Sequence, residues 1–228
     1  MKKKVKTLLQ LIPLEILVTS SLFLLSLFTF SFIVHEAVLE QEPVFDRKAI
    51  LFFSTHASPL FIEAMKNVTV LGSSLFLLPA YTAVITWLLF KKKAQLAIDI
   101  AVIAVSSTAI MFALKAYFHR QRPELPIIKG ISGYSFPSGH SLSSFIFCSI
   151  MIYLVWQTGL SLTRKYLLML FFLLLAFTIG LSRVVLNVHY ATDVIGGFCL
   201  GIIWAILSFA IMKKIRKKTV VGNPNGGS

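Results

Sequence analysis

The sequence predicts an all-α fold: a polytopic membrane protein with six transmembrane helices and short interfacial helices between spans one and two. Three observations carry this. The 228 residues are 57% hydrophobic, with a mean hydropathy of +0.83, well above an ordinary soluble domain. Several apolar runs reach or approach the ~20 residues that carry a helix across a bilayer. The basic residues sit in short clusters beside those runs, which is how membrane topology is specified. The net charge of +13 therefore speaks for orientation in a bilayer and not for a nucleic-acid surface. A signal peptide accounts poorly for the first run, because it is long, no Ala-x-Ala-like site follows and more spans come after it. Cys148 and Cys199 both lie inside apolar runs and read as small packing residues.

Taken in order, residues 1–12 form a basic cytoplasmic segment with Lys2, Lys3, Lys4 and Lys6. Span one covers about 14–34. The more polar stretch 35–67 mixes Glu36, Glu40, Glu42, Asp46, Arg47, Lys48 and Glu63 with apolar clusters. It reads as one or two short helices at the membrane surface, with an irregular loop as the alternative. Span two, about 68–90, contains Pro79, which a membrane helix tolerates, and ends at Lys91-Lys92-Lys93. Span three covers about 94–118 and is followed by a polar loop, His119 to Gly139. Span four runs to about Trp156, and a turn with Arg164 and Lys165 leads into span five, about 166–181. A second polar loop, 182–192, precedes span six, about 193–212. Residues 13–212 thus make one membrane domain, and the basic tail 213–228 is expected to be disordered from Gly222 onward.

Six spans put fourteen of the 22 Lys and Arg residues on the side of the two termini. By the positive-inside rule that side is cytoplasmic, and loops 119–139 and 182–192 face the outside. Glu15 and Asp99 then lie near cytoplasmic span ends among headgroups, Trp87, Trp156 and Tyr166 form an inner aromatic belt, and His35, His56 and His119 are interfacial.

Three sets of residues converge on the outer face. Lys115 and Arg122-Pro123 lie at the end of span three; seven residues is nearly two helical turns, which puts both cations on one side. Such a pair either snorkels or holds an anion. Phe136-Pro137-Ser138-Gly139-His140 opens span four. Ser138 suits an N-cap, Gly139 permits close approach to the backbone, and the first amides of the helix make an anion site; plain helix punctuation is the other reading. Ser182-Arg183 is followed by His189 and Asp193, four apart, so the carboxylate can fix one imidazole nitrogen and leave the other free. Asp193 capping span six is the alternative for that pair.

Together these sets supply Lys115, Arg122 and Arg183 as cations, amides near Ser138 and Gly139, two histidines and one aspartate. That inventory suits a phosphate group. In chemical terms His189, oriented by Asp193, attacks phosphorus; His140 protonates the leaving alkoxide and then activates water; the basic residues hold the oxygens. The outer loops lack the carboxylate cluster a two-metal phosphatase needs, so neither metal nor other cofactor is expected. A non-catalytic lipid-phosphate binder or transporter remains the alternative, although an acid, a nucleophile and an orienting carboxylate are superfluous for it.

These residues, in this order and spacing, resemble the type 2 phosphatidic acid phosphatase superfamily, the lipid phosphate phosphatases. Its motifs K-x6-RP, PSGH and SR-x5-H-x3-D read here as Lys115 to Arg122-Pro123, Pro137 to His140, and Ser182-Arg183 to His189 to Asp193. The resemblance implies a six-helix core, metal-independent dephosphorylation, the same roles for His189, His140 and Asp193, and a lipid that enters sideways between helices. Compact size and short tails resemble the phosphatidylglycerophosphatase B-like bacterial enzymes within the family. For those, the implied substrates are phosphatidylglycerol phosphate, undecaprenyl diphosphate or phosphatidic acid, and the implied location is the plasma membrane. The expected partners are this lipid and the bilayer, with no nucleic acid and no obligate protein partner.

Overall fold

The computed structural model describes residues 13–39 and 44–222. The basic segment 1–12, Glu40 and Glu42 fall outside the described residues, as does the expected disordered tail beyond Gly222. Eight α-helices and no strands are present among those described. They are α1 (Leu14–Ile33, continued by a π-helical turn Val34–Leu39), α2 (Val44–His56), α3 (Pro59–Val70), α4 (Ser74–Phe90), α5 (Ala94–Phe118), α6 (Gly139–Trp156), α7 (Leu162–Val185) and α8 (Ala191–Gly222).

Five of these, α1, α5, α6, α7 and α8, are each long and apolar enough to cross a bilayer. Helices α3 and α4 are apolar enough for a crossing only as a pair, bent by 42° at the break between them, so the described residues offer five spans, or six if that pair is one. The sequence expectation of one continuous span over 68–90 is corrected here. The run breaks at Leu71-Gly72-Ser73, and residues 59–70 belong to the bent arm as well as to the surface stretch. The local reason is a second helix start: the amides of Phe76 and Leu77 turn back to the Ser73 carbonyl, at 3.2 and 2.9 Å. Gly72 makes the elbow possible sterically, since a Cβ there would lie 2.5 Å from Ile179 Cγ2 and 3.0 Å from His140 Cδ2.

Helices α6, α7 and α8 pack on one another; α1 lies along α8, and α5 bridges α4 and α6. The centre is Leu88, Ile100, Leu142, Ile146 and Ile150, all 1% exposed or less. Leu25, Phe28, Leu78, Phe112 and Phe177 point outward, as expected where the solvent is lipid. In lipid, helix association rests on close packing more than on transfer from water, and small residues on α8 provide it. A Cβ on Gly197 would lie 2.8 Å from the Ser138 carbonyl oxygen and 3.0 Å from Ser141 Cβ. Backbone cannot yield as a flexible side chain can. Gly197→Ala is therefore expected to push α6 off α8, lower stability by about 1–3 kcal/mol and depress turnover with it. Thermal denaturation of the detergent-purified variant checks this.

Helices α5 to α8 alternate in direction, joined by the long loop 119–138 and by the short turns 157–161 and 186–190. The end of α5, the start of α6, the end of α7 and the start of α8 meet at one end of the bundle. Helices α2 and α3 lie against α7 there, and α2 also touches α8. At the opposite end Trp156 and Tyr166 pack edge to face at 5.6 Å, and Lys165 Nζ donates to the Trp156 carbonyl at 3.1 Å. Asp99, expected among headgroups, instead accepts from Arg216 Nη2 at 2.6 Å and from Gln95 at 3.1 Å.

Candidate active site

A cavity of about 590 Å³ opens where the four helix ends meet. Lys115, Arg122, Gly139, His140, Arg183 and His189 line it, joined by Lys66 from α3. Among the described residues no carboxylate lines its wall. Val70, Leu75, Met111, Ile128 and Ile131 supply an apolar side.

Each residue arrives by local folding. Helix α5 stops at Phe118 because His119 takes a left-handed conformation (φ 51°) and donates its amide to the Lys115 carbonyl at 3.2 Å. Arg122 is therefore off the helix and not two turns along it; the loop turns back and brings it beside Lys115. Both cations hold the segment ahead of α6. Lys115 Nζ donates to the carbonyls of Tyr134 (2.6 Å) and Ser135 (3.2 Å), and Arg122 Nε to that of Gly133 (2.9 Å). Ser138 caps α6, its hydroxyl accepting from the Ser141 amide at 3.4 Å and the Ser141 hydroxyl at 2.9 Å. Its amide donates to the Asp193 carbonyl at 3.0 Å. Ser138 is fully buried behind the cavity, and Gly139 and His140 are the residues of this motif that reach the wall.

His189 lies in the turn before α8, off the helix. Its Nδ1 is 3.4 Å from Asp193 Oδ2 and 3.3 Å from the Ser135 hydroxyl. Asp193 sits in the first turn of α8, where Oδ2 also accepts from the Tyr190 amide at 2.9 Å and from the Ser135 hydroxyl. This arrangement puts the imidazole proton on Nδ1 and leaves the lone pair on Nε2, which faces Arg122 Nη1 at 3.1 Å. Burial pulls the His189 imidazole down to about 4, against the hydrogen bond and charge of Asp193, so the neutral ring persists at ordinary pH. Burial likewise lowers the Arg122 guanidinium.

Arg183 is 4% exposed, and its Nη1 donates to Thr69 on α3 at 2.6 Å. Its Nε is buried with no hydrogen-bond partner. An orphan donor of a charged group is costly unless an anion visits it.

Arg120 and Asp46 carry no role in the sequence reading, yet both belong to the site. Arg120 Nη1 donates to Asp193 Oδ1 at 2.6 Å, and Nη2 to Asp46 Oδ2 at 2.8 Å. Burial alone would lower the Arg120 guanidinium, but the charges of and bonds to Asp193 and Asp46 outweigh it and the net shift is upward. The signal that could have found them is an excess cation: three basic residues within eight positions at a membrane boundary ask for a carboxylate partner.

Sequence comparison matches residues 96–217 to the PAP2 superfamily profile. The chain belongs to the PAP2 superfamily. It is 30% identical over 199 residues to phosphatidylglycerophosphatase B of Bacillus subtilis, covering 86% of this chain and 96% of that protein. It is 27% identical over 198 residues to the lipid A 4'-phosphatase of Bacteroides thetaiotaomicron, covering 80% and 83% respectively. The crystal structure of the transmembrane PAP2-type phosphatidylglycerolphosphate phosphatase from Bacillus subtilis superposes with a TM-score of 0.72 at 30% identity, over 86% of this chain and 96% of that one. Aquifex aeolicus LpxE shares the fold, with a TM-score of 0.56 at 23% identity, over 74% and 97%. This PAP2 member is thus a multi-pass membrane lipid phosphatase, a phosphoric monoester hydrolase.

Proposed function

We propose that this protein hydrolyses a glycerophospholipid monoester or a polyprenyl diphosphate through a phosphohistidine on His189, without a metal ion. The observation that carries this is the cavity wall: two imidazoles and four cations line it, one of the cations, Arg183, with a buried Nε that has no partner, and no carboxylate among the described residues faces in. Such a wall attracts phosphate and repels a divalent ion. Among the described residues no group of three or more His, Cys, Asp or Glu is placed to hold a metal.

The chemistry follows from the geometry. His189 Nε2 carries the lone pair and attacks phosphorus; Asp193 on Nδ1 stabilises the imidazolium that develops. Arg122, now 3.1 Å from Nε2, turns its Nη1 onto a phosphoryl oxygen when substrate arrives. Lys115, Arg183 and the free amides at the head of α6 receive the other oxygens. His140 protonates the leaving group, the alkoxide of a monoester or the prenyl monophosphate of a diphosphate, and then takes a proton from the water that splits the N–P bond.

Phosphatidylglycerol phosphate is the first substrate to test, given the Bacillus relative, with undecaprenyl diphosphate and phosphatidic acid beside it. The apolar side of the cavity suits an acyl or prenyl chain entering from the bilayer. Applied to the basic clusters of the sequence, the positive-inside rule supports a reading with both termini in the cytoplasm and the site on the extracytoplasmic face of the plasma membrane. On this reading residues 13–212 act as a single catalytic domain needing no obligate protein partner. The test is phosphate release from each of the three lipids in detergent with EDTA present. Sustained turnover in EDTA, with at least one lipid clearly preferred, is expected; a strict metal requirement would overturn the mechanism.

A further inference from the structure

Helix α2 reaches the reacting groups through one buried side chain. Asp46, in its first turn, is fully buried. Its Oδ1 accepts from the Thr192 amide at 2.9 Å and its Oδ2 from the Thr192 hydroxyl at 2.6 Å, so it caps α8 from 146 residues away. A carboxylate at a helix N-terminus is also favoured by the dipole. Arg120 closes the ring, donating to Asp46 Oδ2 (2.8 Å), the Thr192 hydroxyl (2.8 Å) and Asp193 Oδ1 (2.6 Å). The Tyr190 ring lies 4.3 Å beneath the guanidinium. Asp193 is therefore held at both oxygens. Ser135 and the Tyr190 amide fix the oxygen that faces His189, and Arg120 fixes the other.

We propose that Asp46 and Arg120 are positioning residues for the reaction: they lock the Asp193 carboxylate in the rotamer that orients His189, and they tie α2 to the catalytic head of α8. Neither lines the cavity, so neither touches substrate. The Arg120 charge also offsets that of Asp193, which otherwise favours protonation of His189. The groups facing His189 are Asp193 on α8, Lys115 on α5, Arg122 and Ser135 on the loop between α5 and α6, and, across the shared cavity, His140 on α6 and Arg183 on α7. His189 and Asp193 are close enough to titrate as a pair. Removing Arg120 makes proton uptake easier at whichever member accepts it.

The proposal rests on His189 being the reacting imidazole. The experiment compares Arg120→Gln, Arg120→Lys, Asp46→Asn and His189→Gln in detergent, with phosphatidylglycerol phosphate or whichever of the three lipids the wild-type enzyme turns over best. Arg120→Gln is expected to lower kcat by about 10- to 100-fold, the scale on which the outer-shell partner of a metal-bound imidazole acts, with KM within about threefold. Its acid limb should rise by about one pH unit or more. Asp46→Asn should lower kcat at unchanged KM without raising the limb, because Arg120 still faces Asp193. Arg120→Lys should restore the limb but only part of kcat. A purely structural lesion reduces the amplitude at every pH and leaves the limb in place; that result, or Arg120→Gln turning over within twofold of wild type, overturns the proposal. If Arg120→Gln does not fold, lowered kcat at unchanged KM in both Arg120→Lys and Asp46→Asn supports it, and wild-type kcat in both overturns it. Retained turnover in His189→Gln sinks the nucleophile reading separately, whatever Arg120 does.

Discussion

His189→Gln is expected to lower kcat by at least about 10⁴-fold, the scale on which loss of a covalent nucleophile acts. Glutamine keeps the length and the polar contacts of the side chain but has no lone pair able to accept phosphorus. The wild-type ring is set up for attack in three ways. Its Nδ1 is turned to Asp193 at 3.4 Å, which fixes the tautomer. Its Nε2 faces the cavity beside Arg122. Its burial keeps it neutral down to about pH 4. That last property also has a cost. Between the ordinary histidine value of about 6.5 and the folded value of about 4, the unfolded chain holds the extra proton, so stability falls as pH drops through that window. Rapid quench with a radiolabelled lipid phosphate should trap an acid-labile, base-stable phosphoenzyme in the wild type and none in the variant. Wild-type rates in His189→Gln, or a phosphoenzyme that persists there, would reassign the nucleophile.

The parts of this site legible in the sequence are those that topology forces together. Lys115, His140, Arg183, His189 and Asp193 all stand at or beside ends of apolar runs, and alternation of spans leaves them a single face to share. The reason first attached to two of these pairings did not survive. Arg122 meets Lys115 through a loop that folds back after a left-handed residue, and His189 meets Asp193 from a turn ahead of the helix. Spacing measured nearness in sequence correctly while misassigning the backbone that delivers it. The Asp46–Arg120 link was illegible for a different cause: 74 residues separate its members, and Asp46 stands in a mixed polar stretch that looks like any solvated helix face. The elbow was partly written in the chain, since Gly72-Ser73-Ser74 interrupts an otherwise bulky apolar run, but composition alone does not say that the run bends there.

His140→Gln is expected to divide substrates by their leaving groups. His140 sits in the first turn of α6 and lines the cavity with His189; the Gly72 elbow packs against its ring. A lipid phosphate monoester, such as phosphatidylglycerol phosphate or phosphatidic acid, expels an alkoxide, which cannot leave without a proton. Loss of the general acid should therefore cost about 10³-fold in kcat on such a substrate, mid-range for general acid catalysis. An aryl phosphate expels a stable phenolate, and the first step should survive the substitution almost intact. The second step should not, because the same imidazole must take a proton from the attacking water. On an aryl phosphate the variant is thus expected to show a burst of one phenolate per active enzyme followed by slow turnover, with phosphohistidine accumulating between the two. Equal losses on alkyl and aryl substrates, with no burst, would remove the acid–base role and leave His140 as one more group that holds phosphate. Arg183 offers the contrast that makes this decisive: it supplies charge to the oxygens in both steps, so Arg183→Ala should weaken both substrates alike and accumulate no intermediate.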